Sequence, residues 1–141
     1  MRLWDYRLLK ALPDRFIVAE WRECIAIKRQ WEKGTLKHRL VSYVMDYDRQ
    51  YFYKYVGDLC NEMINRDINY QVKYFDEISN FCGVNIFNVA FQKLDHYPEH
   101  NNRYLRQCIS NLEEKFDRGI ISREEWVKII DYYKEILEGK R

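Results

Sequence analysis

Residues 14–33 read DRFIVAEWRECIAIKRQWEK and lie between Pro13 and Gly34. A proline before the first turn and a glycine after the last basic residue are start and stop signals, with Asp14 the expected N-cap, and they predict a helix of about five turns. On a wheel of about 100° per residue with Arg22 at zero, Ile17, Trp21, Cys24, Ile25, Ile27 and Trp31 fall within about 80° of a direction near 220°. They form the expected core face. Arg15, Arg22, Arg29 and Lys33 cluster within about 20° of Arg22, opposite that face. Glu23 falls on the border, near ~100°, and Glu20 falls inside the apolar arc, near ~160°. A carboxylate there needs a partner, because an unpaired buried charge costs several kcal/mol. The wheel fits two readings. In one, Glu20 snorkels or pairs with an arginine of another helix and the basic stripe is a solvated face. In the other, Glu23 works among cations on a phosphate-rich substrate.

Outward from this helix the chain reads as more helices. Asp48 to Asn65 carries Phe52, Val56, Leu59 and Met63 on one face, with Gly57 read as a close helix contact. Asn102 to Asp117 carries Leu105, Cys108, Ile109, Leu112 and Phe116 on one stripe, ending at Gly119. Ser122-Arg123-Glu124-Glu125 is a capping box opening a last helix with Trp126, Ile129, Ile130, Tyr133 and Leu137 buried. Residues 68–98 are irregular in pattern, with a short helix over Asp76–Phe81 and an apolar run, Val84–Phe91, that fits a strand or a buried irregular segment. The expected fold is all-α, one compact domain over residues 1–141 with about four main helices.

Composition narrows the function. The chain has 141 residues, 47% hydrophobic and 16% aromatic, enough for one core without staples. Its four cysteines stand far apart with no C-x-x-C pair, and the N-terminus has no apolar signal region, so a reduced, cytoplasmic protein is expected. No run is long and apolar enough for a membrane span. The net charge of +2 is unevenly divided: residues 1–40 hold ten Lys/Arg against five Asp/Glu, and residues 41–141 fourteen against seventeen. The basic end points to an anionic partner. His96-x-x-x-His100 encloses Pro98, which breaks a single helix face, so no metal site is expected there. The twelve tyrosines, Tyr51, Tyr53 and Tyr55 among them, read mostly as core residues with wet hydroxyls, one or two of them able to stack on an extruded base.

Several stretches together resemble the phage-type pyrimidine-dimer DNA glycosylases, the UV endonucleases once called endonuclease V. They are Met1-Arg2-Leu3, Leu12-x-Asp14, AEWRE at 19–23, Lys37-His38 leading through Tyr47-Asp48-Arg49 into a helix, Glu62-Met63-Ile64-Asn65-Arg66, and Asn111-Leu112-Glu113-Glu114-Lys115. The resemblance implies an all-helical domain that cuts the glycosidic bond of UV-linked pyrimidines and then nicks the strand as an abasic-site lyase. It implies a nucleophilic N-terminal α-amine, here that of Met1, and an essential carboxylate, here Glu23. Arg2, Arg15, Arg22, His38 and Lys115 are the implied DNA contacts. The implied partner is double-stranded DNA with a damaged or abasic site, associated with the nucleoid if the source is bacterial or archaeal. No cofactor or metal is implied, and a monomer is expected.

These residue types suit the chemistry. α-Amines as a class ionise near pH 8 and keep a neutral, nucleophilic fraction at pH 7 that lysine side chains lack. A carboxylate beside the amine stabilises positive charge at C1′ and moves protons during imine formation and β-elimination. Arginines on phosphates position a duplex without reading its sequence, and a damaged step is cheap to kink and flip. The departures are as informative. Arg2 is too large for routine methionine removal, so Met1 itself carries the amine. The family's late arginine is Asn111 here, and the basic residue it carries shortly after its glutamate is Ala26, with Lys28 and Arg29 nearby. A helical DNA-binding protein that keeps the scaffold without the chemistry is the alternative.

Overall fold

The computed structural model describes residues 1–84 and 94–141. Within them lie five α-helices, α1 (Asp14–Lys33), α2 (Arg49–Asn65), α3 (Val72–Cys82), α4 (Asn102–Asp117) and α5 (Arg123–Leu137), and two 3-10 turns, Tyr6–Ala11 and Ser42–Asp46. No described residue is in a strand. The all-α expectation holds, and the short helix expected over Asp76–Phe81 is longer, running as α3 from Val72 to Cys82. The Val84–Phe91 reading falls outside the described residues apart from Val84, which is buried.

The first helix stops where its sequence says it must. Gly34 takes the left-handed conformation, φ 73°, and its N–H bonds the carbonyl of Trp31 at 3.0 Å. A residue with a β-carbon is strained at that φ, so glycine is the natural terminator. Its start differs by one position from the expectation: Pro13 flanks the helix, Asp14 is the first helical residue, and no side chain caps it. Asp14 instead places negative charge in the first turn and receives a 2.9 Å ion pair from Arg66. Downstream, Asp48 caps α2 by accepting from Gln50 N–H, and the Ser122–Glu125 capping box forms in both directions.

Helices α1, α2 and α3 pack against one another, and α4 packs against α5 across the short connection that contains Gly119. Between α2 and α5 sits the Tyr6–Ala11 turn, which contacts both. Its Leu8 and Leu9, with the following Leu12, are buried in the common core. From α1 the core receives Ile17, Trp21, Cys24 and Ile27, and from α2 Phe52, Val56, Leu59 and Met63. Among the described residues Gly57 makes no close helix contact: a β-carbon built there meets none of their atoms within 4 Å. In α5 the buried positions are Ile129 and Ile136, whereas Leu137 is 51% exposed. Two turns separate Ile129 from Ile136 and return to the same face, and Leu137 is rotated about 100° beyond it. The four cysteines are free and buried. No helix among the described residues is long and apolar enough to cross a membrane.

Candidate active site at the N-terminal segment

The five residues before the Tyr6–Ala11 turn run across α1 rather than away from the molecule. Leu3 and Asp5 are fully buried and Trp4 nearly so. Asp5, taken out of water, is held by its own neighbours: it accepts from the Arg7 backbone N–H at 3.0 Å and from the Arg7 guanidinium at 3.0 and 2.9 Å. A buried acid is tolerated on those terms.

Two carboxylates one helical turn apart on α1 capture alternate amides of this segment. Glu23 Oε2 accepts the Arg2 N–H at 3.0 Å, and Glu20 Oε2 accepts the Trp4 N–H at 2.8 Å. Side chains three apart lie on one face of a helix, and amides two apart lie on one side of an extended chain, so the two periods match. The arrangement puts the Glu23 carboxylate one peptide unit from the Met1 α-amine. The answer to the charges in AEWRE is therefore that both glutamates face the N-terminal segment.

Glu20 neither snorkels to the surface nor pairs with an arginine among the described residues, the two fates given to it in the reading of the basic stripe as a solvated face. Its partner is Tyr55 of α2, whose Oη lies 3.0 Å from Glu20 Oε2 and 2.8 Å from the Trp4 carbonyl oxygen. One hydroxyl proton cannot serve both acceptors. The Trp4 N–H, Glu20 Oε2, the Tyr55 hydroxyl and the Trp4 carbonyl thus close a ring in which the tyrosine donates to one of its two acceptors at a time. Burial pushes the Glu20 pKa up to about 8, against the lowering effects of the Trp4 amide and the Tyr55 hydroxyl, with the Glu23 charge adding to the rise. Glu20 Oε1 has no hydrogen-bond partner among the described residues. A neutral acid bears that omission at far less cost than a carboxylate.

Further contacts fix the segment. Tyr104 of α4 donates to the Leu3 carbonyl, and the Arg2 guanidinium lies 5.9 Å from the Trp4 ring centroid and 5.8 Å from that of Tyr104. Tyr55 and Tyr104 are the residues that sequence reasoning missed. Tyr55 was grouped with core tyrosines, and Tyr104 carried no signal beyond its place at the edge of an apolar stripe.

The expected DNA contacts are distributed unevenly. Arg22 is exposed beside Glu23, and no carboxylate pairs with it among the described residues. Arg15 is occupied: it makes a two-pronged contact with Glu125 at 2.6 and 3.0 Å and donates to the Ile120 carbonyl at 2.6 Å, tying α1 to α5. That arginine, with the Ser122 amide, pulls the Glu125 pKa down to about 2. Arg29 and the buried Lys28 both bind Glu77 of α3, so these neighbours of Ala26 serve the fold. His38 is exposed in the loop before Ser42–Asp46, its Nδ1 accepting from Leu40 N–H at 3.3 Å. Lys115 is half-buried in the last turn of α4. His96 and His100 are not brought together as ligands. The ring of His96 stacks on Tyr6 at 3.5 Å, and His100 is bonded to Tyr6 N–H and Tyr43 Oη. No group of three or more His, Cys, Asp or Glu among the described residues is arranged to hold a metal.

This geometry sets the Glu23 carboxylate one peptide unit from the Met1 backbone nitrogen, with Arg2 and Arg22 adjacent in sequence and neither paired with a carboxylate among the described residues. A model of the pyrimidine dimer DNA glycosylase family matches residues 1–76, which contain Met1, Arg2, Arg22, Glu23 and His38. No curated protein and no solved structure matches the chain significantly. The matched span takes in the N-terminal segment, α1 and α2, the elements that build the site, and on that match the chain belongs to the pyrimidine dimer DNA glycosylase family.

Proposed function

We propose that the protein is a DNA glycosylase and abasic-site lyase acting on UV-induced pyrimidine dimers, with the Met1 α-amine as nucleophile and Glu23 as the working carboxylate. The observation that carries the reading is the 3.0 Å bond from Arg2 N–H to Glu23, which holds the carboxylate next to the amine. The neutral amine attacks C1′ of the damaged nucleotide, and the glycosidic bond breaks with its electron pair leaving on the base, which takes up a proton. Glu23 stabilises the positive charge on C1′ in that step. Loss of the amine proton and opening of the C1′–O4′ bond, with a proton passing to O4′, give the imine. Removal of a C2′ proton then expels the 3′ phosphate, and water hydrolyses the imine to return the amine. Glu23 is placed to relay the protons at the amine, and the Glu20–Trp4–Tyr55 ring keeps the segment from drifting.

Arg2 and Arg22 flank the reacting centre and take phosphates, with His38 and Lys115 as more distant contacts on the duplex. Arg15, already neutralised by Glu125, contributes least. The flipped, kinked state is reached most cheaply at a lesion whose stacking is disturbed, which gives preference for dimers without base-edge readout. Incision of a duplex containing one cyclobutane dimer, compared between wild type and Glu23→Gln, tests the assignment. Wild type nicks, and the variant loses at least about 100-fold in turnover while binding the duplex as well or better. Equal nicking by Glu23→Gln removes Glu23 from the mechanism, and binding without nicking by wild type identifies a scaffold that has lost the chemistry.

A further inference from the structure

A second cationic feature adjoins the N-terminus. Arg103 and Arg106, both exposed on the first half of α4, line a groove with Arg2. None of the three guanidinium groups is paired with a carboxylate among the described residues. This sets them apart from Arg7, Arg15, Arg29 and Arg66, whose charges are spent on Asp5, Glu125, Glu77, and Glu62 with Asp14. The other residues of the groove are Gln107, Ser110, Asn111 and Glu114, so every lining side chain is polar. Small-molecule sites are mostly apolar and enclosed. An open, wholly polar groove with three arginines that no described carboxylate neutralises fits a run of phosphates.

From these observations we infer that the Arg2–Arg103–Arg106 groove binds consecutive backbone phosphates of the DNA strand that carries the reacting sugar. Positions 103 and 106 are one turn apart on the same face of α4, with Cβ atoms about 5–6 Å apart, so each guanidinium can take its own phosphate. Gln107 and Ser110 add uncharged donors to the phosphate oxygens. Glu114 repels anions at the groove's next turn and so limits its length. The inference rests on the glycosylase reading. It adds that the strand is held on α4, outside the span the family model matches, and that Arg2 joins this track to the Met1 amine. Charge on α4 thus lies one to two turns before Asn111, where the sequence lacks arginine.

The test is the salt dependence of binding to a duplex carrying a non-cleavable abasic-site analogue, by fluorescence anisotropy from about 50 to about 200 mM salt. Arg103→Ala/Arg106→Ala is expected to bind roughly tenfold or more weakly near the middle of that range, with a log–log slope shallower by about 1.8, since each phosphate contact contributes about 0.9. Arg103→Lys/Arg106→Lys regains the wild-type slope, which a purely structural role for the arginines does not predict. A wild-type slope in the alanine variant overturns the inference, as does weaker binding with the slope unchanged. If the wild type nicks a dimer while the alanine variant keeps its slope, only the groove falls. If the wild type shows no salt-dependent binding, the glycosylase reading falls with it.

Discussion

At the scale of single residues, two glutamates of α1 sit in opposite surroundings. Glu23 is half-exposed and accepts the Arg2 N–H, whereas Glu20 is fully enclosed and its pKa is raised by burial. The consequence for pH is specific. A carboxyl pushed up to about 8 in the folded protein, from an ordinary value of 4.5, binds its proton more tightly folded than unfolded. Its contribution to stability is complete below about pH 4.5 and is lost as pH rises through about 8. Glu20→Gln keeps an acceptor for the Trp4 amide and removes the titration. The difference in unfolding free energy between wild type and this variant should therefore shift against wild type from about pH 5 to about pH 9 in urea titrations, and a flat difference would place an ionised carboxylate at Glu20. Glu20→Ala opens the ring, leaves the buried Trp4 N–H without its acceptor, and is expected to cost about 2–4 kcal/mol with loss of nicking. The position of Glu20 inside the apolar arc was legible from the helical wheel alone. Its partner was not, because Tyr55 is thirty-five residues away and its hydroxyl carries no pattern in sequence.

Among elements, arginines do the joining. Arg66, at the end of α2, donates to the carbonyls of Leu9, Lys10 and Leu12, at 3.1, 3.1 and 2.6 Å, and pairs with Glu62 and Asp14. It thereby fastens the 3-10 turn, and with it the N-terminal segment, to α2. Arg66→Ala strips donors from three carbonyls and is expected to lower stability by about 2–3 kcal/mol, read as a shift of the urea midpoint at constant m. Arg15 gives the contrast. Its pair with Glu125 is exposed and contributes no more than about 1 kcal/mol, and because its charge is already matched, Arg15→Ala should flatten the salt dependence of DNA binding less than Arg22→Ala. Equal flattening would show that Arg15 leaves Glu125 for a phosphate. Sequence reading recovered the bounds of α1, α2, α4 and α5 closely, since Gly34, Gly119 and the Ser122–Glu125 box are local signals. It shortened α3, whose first turn, Val72-Lys73-Tyr74-Phe75, has no capping side chain. It also spread the cations of α1 over one solvated stripe, because a wheel cannot show that Glu77 and Glu125 approach from α3 and α5.

For the molecule as a whole, the aromatic cluster around His100 sets the acid limit. His100 Nδ1 accepts from Tyr6 N–H at 3.2 Å, so the neutral ring carries its proton on Nε2 and donates it to Tyr43 Oη at 2.7 Å. Burial pushes its pKa down to about 4, and a second proton would oppose the Tyr6 amide. The unfolded chain takes up that proton near pH 6.5 and the folded chain does not, so stability falls as pH drops from about 6.5 to about 4, by about 3 kcal/mol in the limit. Thermal unfolding followed across that range should show the decline in wild type and a flatter profile in His100→Gln. The family and the all-α fold were both legible from Met1-Arg2-Leu3 and AEWRE with the helix patterns around them, whereas the arginines of α4 that adjoin Arg2 became visible only once the chain was folded. The central claim concerns one atom, the Met1 amine nitrogen beside Glu23. Borohydride trapping of untagged protein on duplex DNA with a single abasic site, followed by peptide mapping of the adduct, reads it directly. A covalent adduct at the Met1 α-amine is the predicted result. Trapping on a lysine instead, or no adduct from folded protein that binds the duplex, would contradict it.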